Sequence, residues 1–295
     1  MTMTDHSSMD LRVTALRERF GLDYHASYVL NADLIVGFAG KRVLEVGGSL
    51  PEELVIDDLG AHSWLGVEET SYYDDAGGLP AKLIGISDIS ALRQPLPRYS
   101  IASGKVEGLP ADLYGGFDVV FSIAAFEHIL DLPAALTRMH EALVPGGRLV
   151  AMFSPIWSAH DGHHLHGVTD ARGRCFTFAD SGIPPWGHLL MSPHELQCHM
   201  LKLTDPVAAD EIVHQVYGAP CINRRFTEDY VEAFRSSPFS IQRLEATFPR
   251  PVPVEVQARL EARYPGRKHF ANNGLLVVLE KAIASALAGR AHPRP

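Results

Sequence analysis

Histidine is concentrated in one segment of the second half of the chain. Seven of the fifteen histidines fall between residues 160 and 199, namely His160, His163, His164, His166, His188, His194 and His199. Imidazole titrates near neutrality, so a histidine in this segment could take a proton from a hydroxyl or an amine. Three interpretations stay open: a general base or substrate contact, a metal site, and hydrogen bonding to carbonyls in an irregular segment.

The metal interpretation is the weakest of the three. The first four of these histidines are spaced HxxHHxH, which matches no established ligand spacing, and no cysteine stands among them. We therefore predict no bound metal. We name His163 and His164, together with His128 from an earlier segment, as candidate catalytic residues.

Two acids form a second set of candidates, because each lies in an apolar run and they are 23 residues apart. Glu45 belongs to KRVLEVGGSLP at residues 41–51, and Glu68 ends WLGVE at residues 64–68. An acid at this distance ends the next strand of a nucleotide-binding sheet, where it accepts hydrogen bonds from ribose hydroxyls. Gly47 and Gly48 end the first run and let backbone approach a ligand closely.

Aromatic side chains accompany the histidines. The segment carries Trp157, Trp186 and the proline-rich GIPPWGHL of residues 182–189. Aromatics, prolines and histidines in one long connection favour a binding pocket over a solvated loop. We take Trp157, Trp186, His160 and His188 as candidate contacts for a small polar substrate.

Two further sites complete the candidate contacts. The adjacent Arg224 and Arg225 could hold a substrate carboxylate through paired hydrogen bonds, or they could form surface salt bridges. Tyr24 lies in an N-terminal helical segment and could cover a binding cleft, with ordinary helix packing as the alternative.

These residues need strands and helices to position them. Short apolar runs bounded by turn residues predict strands that begin at residue 41 and cover 64–68, 117–123, 148–154, 239–248 and 274–280. Two segments, 84–86 and 99–102, compete for one more strand. Helical periodicity and capping signals predict helices at 11–20, 24–38, 51–59, 133–143, 192–202, 207–217, 227–234 and 254–264.

Composition limits the partners and the compartment. The 295 residues carry a formal net charge of −9 and no dense run of lysine or arginine, so we expect no nucleic-acid partner. No apolar run reaches membrane-spanning length, and the three cysteines form no CxxC pair. We therefore expect a cytoplasmic protein that acts on a small molecule without a membrane partner, with a homodimer left open.

Two later motifs point to a family. FDVVFSIAAFEH spans residues 117–128 and LVPGGRL spans residues 143–149. With the glycine turn and WLGVE, the sequence resembles the class I S-adenosylmethionine-dependent methyltransferases, in particular the branch with Phe-Glu-His after strand four and Pro-Gly-Gly before strand five. The resemblance covers about residues 41–155, with a looser similarity to residue 281.

The resemblance implies a fold and a cofactor. The fold is α/β, a Rossmann-like seven-stranded sheet of order 3-2-1-4-5-7-6 with strand 7 antiparallel and a helical cap. The cofactor is S-adenosyl-L-methionine. A nicotinamide dinucleotide site would need G-x-G-x-x-G to admit the pyrophosphate, and GGSLPE does not offer this.

The resemblance also implies the cofactor-binding residues, which we predict to be Glu45, Gly47, Gly48, Glu68, Val106, Glu107, Ser122, Ile123 and Ala124. Two departures from the family pattern stand out. Ser49 and Pro51 occupy the positions of the next two glycines, and Lys105 stands where an acid usually receives the adenine amine. Glu107 or a backbone carbonyl would take over that contact.

We predict four segments with different tasks. Residues 1–40 are N-terminal helices over the cleft, 41–155 the cofactor-binding core, 156–238 a cap and acceptor-binding insertion, and 239–285 the strands that complete the sheet. The expected reaction is methyl transfer to a small polar metabolite, with O- or N-transfer preferred. Two alternatives stay open: S-methylation of an amino-acid-like thioether such as methionine, and a catalytically inactive cofactor-binding regulatory subunit.

Overall fold

The computed structural model describes residues 3–70, 80–220 and 222–283, with side chains from residue 9 onward. Its main sheet contains the strands β1 Arg42–Val46, β2 Ser63–Glu68, β3 Ser87–Asp88, β4 Tyr99–Ser103, β5 Phe117–Ile123, β6 Leu143–Phe153, β9 Ser240–Thr247 and β10 Gly274–Glu280. A separate antiparallel pair consists of β7 Val168–Thr169 and β8 Cys175–Phe176.

The main sheet confirms the predicted strand order and adds one edge strand. Its order is β3-β4-β2-β1-β5-β6-β10-β9, in which the seven longer strands follow the expected 3-2-1-4-5-7-6 arrangement. Strands β4, β2, β1, β5 and β6 run parallel, whereas β10 is antiparallel to both of its neighbours. The missing strand lies at the second candidate segment, as β4, and the two-residue β3 pairs with its outer edge.

The Pro-Gly-Gly segment lies inside the fifth long strand, whereas the sequence predicts that it precedes this strand. Strand β6 begins at Leu143 and contains the segment as a bulge, because the pairing with β5 shifts from Phe117↔Leu143 to Val119↔Arg148. Gly146 has a φ of 78°, and its N–H donates to the Lys281 carbonyl at 2.8 Å. The bulge therefore stays paired to the chain that follows β10.

Eight α-helices are described: α1 Met3–Phe20, α2 His25–Val36, α3 Leu132–Ala142, α4 Gly187–Leu190, α5 Pro193–Met200, α6 Pro206–Tyr217, α7 Thr227–Ser236 and α8 Val254–Arg263. The helix predicted for residues 51–59 is a single π-helical segment, Glu53–Asp58. Ser192 and Asp205 cap α5 and α6, each followed by a proline that suits the first helical turn. Within the described ranges, no helix combines the length and the apolar character needed to cross a membrane.

Both faces of the sheet are covered, because alternate residues of each strand point to opposite sides. Leu44 of β1 packs into a core with α3 and α7. Val43, its neighbour, packs into a second core with α2 and the π-helical segment. Such coverage on both faces is typical of parallel sheets, whose strands are apolar throughout.

The cap has a core of its own. Trp157, Trp186 and Ile212 belong to this cluster, together with Leu260 and Phe270 from beyond residue 238. Helix α7 packs instead against the sheet, through Tyr230 and Phe234. The segment boundaries at 155 and 238 stay predictions.

Phe121 tests how much the second core contributes to stability. Its ring is fully buried and lies 5.3 Å from the Phe38 ring and 5.7 Å from the Trp64 ring. We expect Phe121→Ala to lower the free energy of unfolding by about 3–5 kcal/mol, because the cavity cannot collapse between two aromatic rings. Urea unfolding measures the change, with Leu34→Ala, at a side chain 63% exposed, as the control. Equal midpoints for the two variants would contradict this packing.

Candidate functional site

A large cavity opens at the carboxyl ends of the parallel strands. Its volume is about 1340 Å³, and its wall includes Gly47 after β1, Glu68 at the end of β2, Gly104 after β4 and Ala124 after β5. Ligand sites for one small molecule usually measure about 300–1,000 Å³. The cavity therefore has room for two ligands side by side, at the place where open α/β sheets bind their ligands.

The glycine turn after β1 brings two strand ends together. Gly47 has a φ of 73°, and a Cβ atom there would lie 2.2 Å from the Ala125 Cβ. A Cβ on Gly48 would lie 2.2 Å from Glu45 Oε1. Both positions therefore require glycine, one for its backbone conformation and both for close approach.

Glu45 supports this turn from below. Its buried carboxylate accepts hydrogen bonds from the Trp64 indole at 2.7 Å and from the Leu50 amide at 3.1 Å. Burial nevertheless raises the pKa of Glu45 to about 7, against the lowering effect of these bonds and of Lys82. The side chain lies on the cavity wall and holds the glycine turn at the same time.

Glu68 ends β2 on the same wall and is 8% exposed. Burial, followed by the charge of Glu45, raises the pKa of Glu68 to about 7, while Lys82 acts in the opposite direction. The Lys82 ammonium donates to the Ser49 carbonyl at 3.0 Å, so it lies between the turn and the two acids. Sequence reasoning missed Lys82, because it follows a proline-rich connection that carries no motif.

The opposite side of this part of the cavity comes from the ends of β4 and β5. Val106, Glu107, Ile123 and Ala124 lie on the wall, and burial raises the pKa of Glu107. Lys105 lies 3.2 Å from Glu69 and forms an ion pair with it. Ser122 does not line the cavity, because its hydroxyl donates to the Val46 carbonyl at 2.8 Å and ties β5 to β1.

Aromatic side chains form the other end of the cavity. Tyr24, His25 and Tyr28 come from the start of α2, and Phe248 follows β9. The Tyr28 and Phe248 rings are stacked with centroids 6.0 Å apart, and Tyr24 meets Tyr28 edge-on at 5.7 Å. We refer to Tyr24, Tyr28 and Phe248 as the aromatic wall. The sequence analysis names only Tyr24 as a candidate contact, because Tyr28 and Phe248 reach the cavity through the packing of distant segments.

Glu127 lies beside the aromatic wall and is 1% exposed. Its carboxylate accepts hydrogen bonds from the backbone N–H groups of Ser154 and of Glu127 itself. Burial outweighs these bonds and raises the pKa of Glu127 to about 8. Within the described part of the chain, its Oε2 atom has no hydrogen-bond partner. Sequence reasoning placed Glu127 in the Phe-Glu-His motif without naming it as a site residue, although its place just after a buried strand was a usable signal.

The three candidate catalytic histidines are placed differently. His128 and His164 line the cavity with ring centroids 5.2 Å apart. His164 donates from Nε2 to the Pro155 carbonyl at 2.6 Å, and burial holds its pKa well below the ordinary value. His163 lies behind the wall, where its Nδ1 accepts from the Leu165 amide and burial lowers its pKa to about 4. His163 and His164 are therefore neutral, weak bases.

The other predicted cap contacts do not reach the cavity wall. Trp157, Trp186 and His188 are buried in the cap, where the His188 ring contacts the Trp157 carbonyl at 2.8 Å. His160 lies 3.3 Å from Asp161, whose side chain does line the cavity. These aromatics fill the core that the cap needs in order to fold.

The two arginines likewise lie off the wall. The Arg224 guanidinium donates to the carbonyls of Val216 and Ala219, and Arg225 donates to the Leu130 carbonyl at 3.3 Å. They satisfy carbonyls at the ends of loops, which would otherwise be buried without donors. Among the described residues, no group of three or more His, Cys, Asp and Glu side chains could hold a metal ion.

Comparison with known proteins decides the family of this fold. Residues 86–151, which include β4, β5 and most of β6, match the family described as methyltransferase domain. This segment of the chain is therefore similar to a methyltransferase domain. The enzyme class is thus an S-adenosylmethionine-dependent methyltransferase. A search of curated proteins finds no match to this methyltransferase.

Several solved structures resemble the methyltransferase. One is an S-adenosylmethionine-dependent methyltransferase from Mesorhizobium loti, with 18% identity, coverage of 88% of this chain and 99% of that one, and a TM-score of 0.44. Geranyl diphosphate C-methyltransferase from Streptomyces coelicolor A3(2) has 13% identity, coverage of 88% and 77%, and a TM-score of 0.45. Phosphoethanolamine N-methyltransferase 2 from Haemonchus contortus has 14% identity, coverage of 92% and 56%, and a TM-score of 0.46. Likenesses of this degree carry no argument about the acceptor.

The cavity of the methyltransferase fits its cofactor in size and charge. S-adenosylmethionine carries a sulfonium cation, an ammonium and a carboxylate, so its net charge is positive. Among the described residues, seven carboxylates and three Lys or Arg side chains line the cavity. The acid that ends β2 and the glycine turn after β1 lie on the same wall of this cavity.

The pKa of Glu127 predicts a pH-dependent contribution to stability. Its folded-state pKa is about 8 against an ordinary 4.5, so the folded state holds the proton between these values and the free energy of unfolding falls as pH rises through the window. Glu127→Gln replaces the titrating carboxyl group with an amide, so the variant does not lose stability in this way as pH rises. We expect the variant to gain stability relative to the wild type, by on the order of 3 kcal/mol between about pH 5 and about pH 9.

Urea unfolding at the two pH values measures this gain. Glu245→Gln is the matched control, because Glu245 is ion-paired with Arg243 and its pKa is lowered rather than raised. Its difference from the wild type should stay constant across the window. A constant difference for Glu127→Gln as well would show that Glu127 is not buried as a neutral acid.

Proposed function

We propose that the methyltransferase transfers the sulfonium methyl group of S-adenosylmethionine to oxygen or nitrogen of a small polar metabolite. One observation carries this proposal: a single cavity runs from the glycine turn and Glu68 to Glu127 and the aromatic wall. Cofactor and acceptor can therefore bind next to each other in one cavity. Binding in this way converts a bimolecular step into a reaction between aligned groups.

The cofactor would occupy the end of the cavity formed by β1, β2, β4 and β5. In this proposal Glu68 accepts hydrogen bonds from the ribose hydroxyls, and Gly47 and Gly48 allow the backbone to approach the methionine portion. Val106 and Ile123 flank the adenine, whose amine donates to Glu107. Glu45 and Ser122 hold the walls in place through the bonds described above.

The cofactor supplies an electrophilic methyl group, and the chain supplies alignment and a proton acceptor. Of the titratable groups at the acceptor end, Glu127 has a pKa of about 8, which lies close to a neutral working pH. His164 has a much lower pKa and already uses Nε2 in a hydrogen bond, so it suits orientation better than proton transfer. His128 lines the cavity and stays a candidate for contact with the acceptor. His163 would act only indirectly, because its Nδ1 accepts a hydrogen bond from the Leu165 amide.

Glu68→Gln tests the cofactor site. The amide keeps the shape of the side chain but removes the charge that two ribose hydroxyls would share, so we expect the Kd for S-adenosylmethionine to rise about tenfold or more. Isothermal titration calorimetry measures the Kd. Glu141→Gln on α3 is the control, because this side chain pairs with Arg138 at the surface and should leave the Kd unchanged. Equal Kd values for all three proteins would remove Glu68 from the site.

A panel of acceptors tests the reaction. We expect formation of S-adenosylhomocysteine with amines or alcohols at neutral pH, measured by chromatography, and a reduced rate at subsaturating cofactor in Glu68→Gln. Turnover with thioethers alone would favour S-methylation, which needs no base. Tight cofactor binding with no product from any acceptor would favour a non-catalytic cofactor-binding subunit.

A further inference from the structure

Glu127 is one of several described residues with a buried polar atom that has no hydrogen-bond partner, and it is the only acid among those that line the cavity. The residue lies on the cavity wall at 1% exposure, and its Oε2 atom has no hydrogen-bond partner among the described residues. A buried carboxylate oxygen without a donor is costly, so the site favours a ligand that brings one. The donor must come from the cavity, because Ser154 already supplies its amide to this carboxylate.

The aromatic wall adds a preference for positive charge. Ring faces attract cations within about 6 Å of the centroid, and Tyr24, Tyr28 and Phe248 present a cluster of such rings next to Glu127. Ser154 connects the carboxylate to the aromatic wall, because its amide donates to Glu127 and its Oγ lies 2.9 Å from the Tyr28 hydroxyl. The Tyr28 hydroxyl is therefore already engaged within the protein.

The cations of the cavity wall are engaged elsewhere. Lys82 donates to the Ser49 carbonyl, Lys105 pairs with Glu69, and Arg17 donates to the Asp23 carbonyl at 2.7 Å. Arg224 and Arg225, which would have suited a substrate carboxylate, lie off the wall. The acceptor end therefore combines an acid and aromatic rings without a described cation directed at them, which disfavours an anionic acceptor.

We propose that the acceptor is a small amine, which binds as its ammonium ion between the Glu127 carboxylate and the aromatic wall and is methylated on nitrogen. This assignment rests on the proposed function. Glu127 takes one proton from the ammonium, the nitrogen lone pair forms the new N–C bond, and the electron pair of the broken S–C bond stays on sulfur. The products are a methylated ammonium, a neutral thioether and protonated Glu127, so atoms and charge balance.

Binding of the ammonium also changes the protonation of Glu127. In the protein without ligand the pKa of Glu127 is about 8, so at pH 7 the carboxyl is largely protonated. A cation beside it favours the carboxylate and releases the proton. Tyr24, Tyr28 and Tyr230 respond to the charge of Glu127, and burial raises the pKa of all three, so none of these three tyrosines exchanges a proton at neutral pH.

A matched pair of probes tests the binding site without any catalysis. We expect neopentylamine, which is an ammonium ion at pH 7 and brings N–H donors, but not the similarly shaped neopentyl alcohol, to bind the protein saturated with S-adenosylhomocysteine. Calorimetry in two buffers of different ionisation enthalpy should show proton release on binding at pH 7. Equal binding of the two probes, or binding of neither, would overturn the proposal.

Two variants locate the site. Glu127→Gln should weaken the binding of neopentylammonium about tenfold or more, and Phe248→Leu, at a ring 52% exposed, should weaken it about threefold. Glu245→Gln should leave it unchanged, because Glu245 is paired at the surface. Phe248→Leu keeps the test valid if Glu127→Gln does not fold, and unchanged affinity in it would overturn the aromatic contact.

Matched acceptors separate this proposal from the general one. We expect methyl transfer to benzylamine or n-butylamine, measured as S-adenosylhomocysteine, and at least about tenfold slower transfer to benzyl alcohol and n-butanol. Transfer to alcohols in preference to amines would overturn the amine assignment and leave the methyltransferase reaction intact. If the wild-type protein did not bind S-adenosylmethionine, this result would instead contradict the proposed function.

Discussion

The structure depends on a buried carboxylate at the first strand of the sheet. Glu45 accepts hydrogen bonds from the Trp64 indole and the Leu50 amide, and so joins β1 to β2 and to the chain after the glycine turn. The same carboxylate leaves no room for a side chain on Gly48. The turn that shapes the cofactor end of the cavity is therefore held by one acid, whose own charge is disfavoured by burial.

That constraint extends through the cavity. Glu45, Glu68 and Glu127 are all buried acids with raised pKa values, and each lies on the cavity wall. Burial of acids lowers the stability of a protein at neutral pH unless cations or hydrogen-bond donors compensate for it. Lys82 compensates for the pair at the cofactor end. A positively charged ligand would do the same at both ends, so ligand binding and stability are coupled in this fold.

The cap separates two tasks that sequence patterns merged. Its two tryptophans are buried in a separate core, which lets the insertion fold against α8 and the chain after it. A smaller set of cap residues, among them Asp161, His164 and Phe178, reaches the cavity. A high density of aromatic and imidazole side chains serves packing as well as chemistry, and only position distinguishes the two.

The sequence by itself determined the order of the sheet and the residues that end its first two strands at the cavity. Buried parallel strands are continuous apolar runs, and the glycine turn and the acid that ends β2 adjoin such runs, so both could be predicted from spacing. The tertiary structure alone decided the aromatic wall and the place of Glu127 near it. Tyr28, Glu127 and Phe248 lie about a hundred residues or more from one another in the chain, and they meet through packing between elements, which no local pattern encodes.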